Sequence, residues 1–352
     1  MGNQLQQYHQ LIFELDESCT FKMSYPCSAL AINKNGSLIL TNIFSIILLI
    51  GFNGKSCKYI SEVQKHKNAI SILKFLKLRQ QFISASSDSI IIWALNHNYG
   101  TRNKFIQKLQ GHKDLITSLE IHHLNEDLMV SGDYDKRIKI WSMENIYGKQ
   151  NSTQQWKCIH EIRELKSQVL SLSINNTGNQ IIACDRDSFI LVIEKSKYEN
   201  TWFLKQKIDV DQLEGSGVNF IKEDKFIFQS NRNNTLDLYQ LKQEGKYIKD
   251  DQLQLGNSKQ NQMRQTSIFN LEQQILTIKK GNKLFIIRFE ENNETKKRNG
   301  NNKKFEIKYL QKIVFKTIFF HRAITDDGKY LIIKEGVSKS IQIWKLKKGL
   351  EN

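Results

Sequence analysis

Two groups of serine, histidine and aspartate stand at matching places in the first half of the sequence. Their members are His66, Ser84 and Asp88, and then His112, Ser131 and Asp135. The same three residue types form the triad of hydrolases, in which histidine takes a proton from the nucleophilic hydroxyl. A nucleophilic serine needs an exposed hydroxyl and an oxyanion hole, usually on a strained turn. Here each serine directly follows a β-branched residue, Ile83 or Val130, within an apolar stretch. We therefore expect a structural role for both groups and no enzymatic activity.

The other residues able to do chemistry show no spacing typical of a metal or cofactor site. The remaining histidines do not form the pairs at helical spacing that hold zinc together with a carboxylate. Five cysteines occur without a CxxC pair, which argues against a disulfide framework or a zinc ribbon and fits a reducing compartment. Neither GxGxxG nor GxxxxGK is present, so no phosphate loop is predicted. We expect no metal and no cofactor.

The charge balance leaves several classes of partner open. Lys and Arg number 52 against 36 Asp and Glu, a net charge of +16 that would suit nucleic acid, an anionic membrane or an acidic protein. The lysines are spread along the whole chain among many Asn, Gln and Ile residues, which favours a bias of composition over one basic site. The longest apolar run, residues 43–52, is about half of the ~20 residues that span a bilayer. No secretory signal begins the chain. We expect a cytoplasmic protein without a transmembrane segment, and nuclear or cytoskeletal association stays open.

The two groups belong to a repeat of roughly 47 residues. The first copy runs from His66 to Trp93 and the second from His112 to Trp141. Each copy holds three short β-branched stretches separated by turn residues, and a fourth stretch follows each tryptophan at residues 104–109 and 156–162. Short β-branched stretches between turns indicate strands. One unit is therefore a four-stranded antiparallel sheet.

These residues resemble the WD40 repeat family. The resemblance is carried by a Gly-His pair such as Gly111-His112, a serine and an aspartate near the middle, and a terminal tryptophan, and it is clearest over residues 60–145. Weaker copies in the same register end at Ile193, Tyr239 and Trp344. In WD40 proteins the equivalent Asp, His, Ser and Trp form a buried hydrogen-bonded chain. The resemblance thus implies two structural tetrads: His66, Ser84, Asp88 and Trp93, and His112, Ser131, Asp135 and Trp141.

The resemblance further implies an all-β fold, a seven-bladed β-propeller of four-stranded antiparallel sheets. The blades are placed at residues 27–64, 66–109, 111–162, 167–208, 216–254, 263–313 and 317–346. Too few residues follow Trp344 for a fourth strand in the last blade. The apolar stretch at residues 10–15 is expected to pair there as the outer strand and close the ring, since closure removes open sheet edges. Residues 1–352 would then form a single domain, with mobile loops at 142–155 and 292–304.

WD40 proteins mostly bind partners through the face built from the fourth-to-first and second-to-third strand connections, called here the inner-loop face. The expected binding residues on this face are Lys67, Lys113, Asp133, Tyr134, Arg186, Asn231 and Arg232. Tyrosine and arginine are residue types that anchor protein interfaces. The resemblance implies a non-enzymatic scaffold or adaptor, a monomeric propeller that binds other proteins within a multiprotein complex.

Two alternative functions stay open. The outer strands that begin with Trp156-Lys157-Cys158 and Trp202-Phe203-Leu204 are similar to those of adaptors in cytosolic iron–sulfur protein assembly. The net positive charge would instead suit a phosphoinositide, an anionic membrane or nucleic acid. The paired-arginine motif of membrane-binding propellers is missing from the nearest string, residues 287–290, so these charge-driven functions rank below protein binding.

Overall fold

Strands make up almost all of the secondary structure in the computed structural model of the chain. The structure describes residues 11–87, 89–95, 104–146, 153–187, 189–199, 201–210, 215–230, 235–255, 267–291 and 305–348. Within these ranges the helical structure is confined to one 3-10 turn, Glu17–Cys19. The strands are β1 (Leu11–Leu15), β2 (Phe21–Lys22), β3 (Leu30–Ile32), β4 (Leu38–Ile43), β5 (Ile46–Phe52), β6 (Cys57–Gln64), β7 (Ile72–Phe75), β8 (Gln81–Ala85), β9 (Ser89–Ala94), β10 (Lys104–Gln110), β11 (Ile116–Ile121), β12 (Leu128–Asp133), β13 (Ile138–Ile146), β14 (Thr153–Ile162), β15 (Val169–Ile174), β16 (Gln180–Asp185), β17 (Phe189–Lys195), β18 (Trp202–Asp209), β19 (Gly215–Lys222), β20 (Lys225–Ser230), β21 (Thr235–Leu241), β22 (Tyr247–Gln254), β23 (Ser267–Asn270), β24 (Ile275–Lys280), β25 (Lys283–Glu291), β26 (Phe305–Val314), β27 (Phe320–Ile324), β28 (Tyr330–Glu335) and β29 (Ser340–Lys348).

Successive strands pair into antiparallel sheets that form the seven blades of a β-propeller. Blades 1 to 6 consist of β3–β6, β7–β10, β11–β14, β15–β18, β19–β22 and β23–β26. Blade 7 consists of β27, β28 and β29, with β1 as its outer strand. The first strands of neighbouring blades contact each other from blade 7 through blade 1 to blade 6, and β1 against β26 joins blade 7 to blade 6. The predicted all-β, seven-bladed fold is confirmed.

The core lies between the blades, because each sheet packs against a neighbour on both of its faces. Among the described residues, one hydrophobic cluster fills the space between each pair of neighbouring blades. Middle strands such as β12 and β16 are consequently buried at every position, whereas the outer strands β6 and β22 are mostly exposed. This explains why the middle strands are nearly continuous apolar runs. They lack the alternation of apolar and polar residues that is typical of a sheet with one solvent-exposed face.

The N-terminal strand closes the ring as expected. β1 pairs antiparallel with β29, from Leu11 opposite Lys348 to Leu15 opposite Trp344. Phe13 is buried between blades 6 and 7, and the side chain of Gln311 bonds to its backbone NH and carbonyl at 2.8 and 2.9 Å. A feature that the sequence analysis missed is β2, which pairs with the other end of β29.

The two segments predicted to be mobile loops differ in how much of each the structure describes. Residues 292–304 lie outside the described residues. Of residues 142–155, only 147–152 lie outside them, because the β13–β14 hairpin continues as far as the pair Ile146 and Thr153. The loop was therefore predicted too long. The hairpin extends because backbone pairing alone can continue a ladder through polar residues at its solvent-exposed end.

Candidate functional site

Blade 3 contains a continuous chain of three buried hydrogen bonds. His112 Nδ1 lies 2.7 Å from Asp133 Oδ2, and His112 Nε2 lies 2.6 Å from Ser131 Oγ. Trp141 Nε1 donates to the same hydroxyl oxygen at 2.8 Å. The chain joins the loop before β11 to the middle strands β12 and β13. A buried polar group left without a partner costs about 1–3 kcal/mol, so this chain stabilises the blade as a unit.

The aspartate of this chain is Asp133, and the prediction of Asp135 was wrong. Side chains two residues apart on a strand share a face, which points Asp133 at the end of β12 in the same direction as Ser131. Asp133 also accepts a bond from the backbone NH of Arg137 at 2.9 Å, which closes the turn. Asp135 lies exposed in that turn and pairs with the Arg137 guanidinium at 3.0 Å.

The bonded order Ser131, His112, Asp133 is the order of a hydrolytic triad, yet the serine is enclosed. Ser131 is 0% exposed, and its oxygen already accepts the indole NH of Trp141. A nucleophile must reach the carbonyl carbon of a substrate, and no substrate atom can approach this hydroxyl. The arrangement can orient the strands of the blade but cannot attack an ester or amide.

Blade 2 repeats most of the chain. Ser84 Oγ lies 2.7 Å from His66 Nε2 and accepts from Trp93 Nε1 at 2.9 Å. The structure therefore brings together three of the four residues predicted for this tetrad, while Asp88 lies outside the described residues. Ser86 stands where blade 3 has Asp133, and its hydroxyl donates to the carbonyl of Ala69 at 2.9 Å.

Blade 4 keeps the aspartate without the histidine. Val169 pairs with Asp185 as Ile116 pairs with Asp133, and this register places Leu165 at the position of His112. Asp185 Oδ1 accepts the backbone NH groups of Asp187 and Phe189 at 3.1 and 3.0 Å. Burial raises the pKa of the Asp185 carboxyl above its ordinary value.

The predicted binding residues do not all lie on the surface. Lys67, Lys113, Tyr134 and Arg186 are exposed on the inner-loop face. Asp133 is fully buried in the blade 3 chain, so its assignment to a binding surface was wrong. Asn231 and Arg232 lie outside the described residues.

Sequence analysis missed four exposed apolar residues on the same face, which we call the apolar arc: Tyr25, Phe44, Phe319 and Val337. They lie before β3, between β4 and β5, between β26 and β27, and between β28 and β29, in blades 7 and 1 and the connections into them. The backbone NH of Gly336, the residue before Val337, donates to the Phe319 carbonyl at 2.6 Å, which brings these two loops together. A large apolar side chain at a position that normally holds a turn residue is the signal that would have found them.

The most exposed member, Phe44, is held in a fixed position. Its φ of 51° lies in the left-handed region, which is uncommon for an aromatic residue. Its carbonyl accepts the backbone NH of Ile70 at 3.0 Å and the side-chain amide of Asn42 at 2.9 Å. The Phe44 side chain is nevertheless 72% exposed. The hairpin thus presents an aromatic ring to solvent on a strained but well-bonded backbone.

The tryptophans behind the iron–sulfur alternative have a packing role in this structure. Trp156 is buried between blades 2 and 3, and Trp202 is buried between blades 3 and 4. Each holds the start of an outer strand against the neighbouring blade. Packing in the hydrophobic clusters between blades therefore accounts for a tryptophan near the start of each of these outer strands.

The five thiols are all free, and burial raises the pKa of each, to about 11 for Cys57. A thiol with a raised pKa is a weak nucleophile at neutral pH. Within the described part of the chain, no three His, Cys, Asp or Glu side chains meet in a group that could hold a metal ion. The described residues also include no helix of the length and apolarity needed to cross a membrane.

Comparison with known proteins supports the family that the sequence resembles. The model of the WD domain, G-beta repeat, matches residues 103–142, which contain His112, Ser131 and Trp141 of the blade 3 chain. The match lies over one blade of the seven and supports the WD40 repeat family. The blade 3 chain contains the four residue types of the tetrad that the resemblance implies, and blade 2 contains three of them.

Curated relatives of this WD40 propeller are distant. A WD repeat-containing protein 55 homolog of Drosophila melanogaster is 23% identical over 155 residues, which are 44% of this chain and 28% of that protein. A putative BTB/POZ domain and WD-repeat protein, R783, of Acanthamoeba polyphaga mimivirus is 24% identical over 145 residues, 41% of this chain and 24% of that protein. The alignments thus span less than a third of these relatives.

Proposed function

We propose that this WD40 propeller is a non-enzymatic scaffold that binds protein partners through its inner-loop face. The observation that carries the proposal is the apolar arc, whose four side chains are exposed on loops of one face. Exposed apolar side chains gathered in one region mark interaction sites on soluble proteins. WD40 propellers typically bind proteins, which supports the same function.

The rigidity of the arc favours tight binding. Asn42 Oδ1 accepts the backbone NH groups of Ser28 and Ala29 at 3.0 and 2.9 Å, and Asn42 Nδ2 donates to the Phe44 carbonyl. These bonds tie the β4–β5 hairpin to the strand entry beside it. A partner that packs against Phe44 therefore loses little free energy to ordering the loop.

The charges on the inner-loop face indicate what the partner carries. Lys67 precedes blade 2, Lys113 and Tyr134 belong to blade 3 and Arg186 to blade 4, and all four are exposed on the same face as the arc. Cations on the face that carries an apolar patch favour a partner with acidic residues at the matching positions. We propose a protein segment whose apolar side chains cover the arc and whose carboxylates lie near these cations.

The test compares variants of opposite faces. Phe44→Gly/Phe319→Ser removes two rings of the arc, and glycine adopts the backbone of residue 44 without strain. Tyr198→Ser removes a 97% exposed ring from the β17–β18 loop on the opposite face and serves as the matched control. Each chain is immobilised and incubated with extract of its own cells, after circular dichroism has shown that all three fold alike.

A stoichiometric protein retained by the wild type and by Tyr198→Ser, and lost from the double variant, would support the proposal. A partner lost from Tyr198→Ser alone would move the site to the other face. Recovery of nucleic acid or lipid that moderate salt releases would favour the charge-driven alternatives, because such binding weakens steeply with salt.

The compartment is also a proposal. All five cysteines are free, including three that are only partly buried. Reduced thiols are typical of the cytosol. We propose that the propeller works in the cytoplasm as a monomeric member of a multiprotein complex.

A further inference from the structure

The central channel of the propeller has two chemically different walls. It encloses about 490 Å³ and is lined by residues of all seven blades. On the side of blades 2 and 3, Lys74 pairs with Glu120 at 2.5 Å, so the charges of that wall balance. On the side of blades 6 and 7, the lining includes Lys279, His321 and Arg322, which we call the basic wall.

The cations of the basic wall are held in place by backbone and side-chain bonds. Lys279 Nζ donates to the carbonyl oxygen of Phe320 at 3.0 Å and lies 4.7 Å from the centre of its ring. Arg322 is buried, and its guanidinium donates to Thr277 Oγ1 at 3.0 Å and to the Thr277 carbonyl at 2.8 Å. Both positive charges are therefore fixed at one side of the channel.

Burial and the neighbouring positive charges lower the pKa values of groups in the basic wall. Burial lowers the pKa of Lys279 to about 8, with a smaller contribution from the Arg322 charge. Burial also lowers the pKa of His321 to about 4, and the charges of Lys279 and Arg322 act in the same direction. The wall is thus a region of positive potential, in which the His321 imidazole is neutral at pH 7 and carries one NH donor.

We propose that the basic wall, Lys279, His321 and Arg322, is a binding site for a small phosphate-bearing anion. A guanidinium, an ammonium and an imidazole together supply the donors that phosphate oxygens accept. The channel volume lies within the range of small-molecule sites. An acidic peptide would have to thread into a channel enclosed by seven blades. A compact anion can diffuse into the channel and reach the basic wall.

The experiment measures thermal unfolding of the full chain at constant ionic strength, with inorganic phosphate or inositol hexakisphosphate replacing chloride. A ligand that binds only the native state raises the melting temperature in a saturable way. Lys279→Met is the test variant, and Lys74→Met on the balanced wall is the matched control. We expect the apparent affinity to fall about tenfold or more in Lys279→Met and to change less than about twofold in Lys74→Met.

The stability of the variant separates loss of binding from loss of folding. Lys279→Met removes a buried charge beside Arg322, so its melting temperature in chloride should equal or exceed that of the wild type. Saturation by inositol hexakisphosphate alone would identify a polyphosphate, and saturation by both anions would identify any phosphate group. An absent or unsaturable shift, or an equal loss in Lys74→Met, would overturn the site. Binding to phosphoinositide vesicles without binding of either free anion would also overturn it.

Discussion

Blades 3 and 5 hold the same backbone pattern together by different means. In blade 3, Trp141 donates a hydrogen bond into the chain through Ser131 and His112 to Asp133. In blade 5 the equivalent Tyr239 stacks on Phe226, with ring centres 4.9 Å apart and planes 6° from parallel. The comparison teaches that the third strand needs a large, well-anchored ring at this position, while polar bonds or aromatic packing can anchor it.

The contrast extends around the ring. Blades 2 and 3 bury hydrogen-bonded polar groups at their inner ends, and blade 4 keeps the buried Asp185 beside Leu165. Blades 6 and 7 bury cations instead, with Lys280 and Lys334 at 2% and 1% exposure. One architecture thus accommodates three different interiors, and four experiments can test how much each contributes.

The largest expected effect is that of Trp141→Ala. Truncation of a buried tryptophan costs about 3–5 kcal/mol of unfolding free energy, and here it also removes the donor to Ser131. Tyr239→Ala removes a smaller ring from a stack and should cost less. Urea unfolding of the two variants measures the difference. Equal losses would mean that the blade 3 hydrogen bonds add nothing to packing.

An acid-dependent loss is expected from blade 7. The pKa of His321 is lowered to about 4 by burial and by the charges of Lys279 and Arg322, against 6.5 in an unfolded chain. The neutral imidazole therefore contributes stability above pH 6.5 that is lost as the pH falls toward 4. This contribution is about 3 kcal/mol. His321→Gln has no imidazole to protonate, so the wild type should lose this much stability relative to the variant between pH 6.5 and 4 in urea unfolding; parallel pH profiles would contradict the assignment.

A double-mutant cycle can convert blade 3 toward the blade 4 arrangement. His112→Leu leaves the Asp133 carboxylate without its imidazole donor and should cost about 2–3 kcal/mol. Adding Asp133→Asn removes the buried charge and keeps the oxygen that accepts the Arg137 NH. The double variant should therefore be more stable than His112→Leu alone in urea unfolding. Simple additivity of the two losses would show that the histidine and aspartate act independently.

The smallest effect is expected at Asp185. Burial raises its pKa above 3.8, so the ionised form destabilises the fold, and stability is gained as the pH falls through the folded-state pKa toward 3.8. Asp185→Asn has no such proton to gain. Relative to this variant, the wild type should gain stability between pH 7 and pH 4, measured by urea unfolding. A wild type that gains no stability over Asp185→Asn in this range would contradict the prediction.

Much of the fold could be predicted because each repeat consists of local sequence patterns. Apolar runs bounded by turn residues indicated the strands, and the spacing of His112, Ser131 and Trp141 placed the third blade in register. The choice of Asp135 failed for a geometric reason, since the side chain that points with Ser131 is two residues along the strand, at Asp133. The strand β2 was missed because two residues carry too little pattern to indicate a strand.

The sequence by itself determined the number of blades, the closure by the N-terminal strand and most of the buried chains, because these depend on short-range patterns that recur along the chain. Only the tertiary structure decided which residues meet from different blades. Tyr25, Phe44 and Phe319 share a face because ring closure sets blade 7 beside blade 1, and Lys279 near the end of the second strand of blade 6 lies near Arg322 on the first strand of blade 7 because both line one channel. Such neighbours are far apart in sequence, and no local pattern records the distance between them.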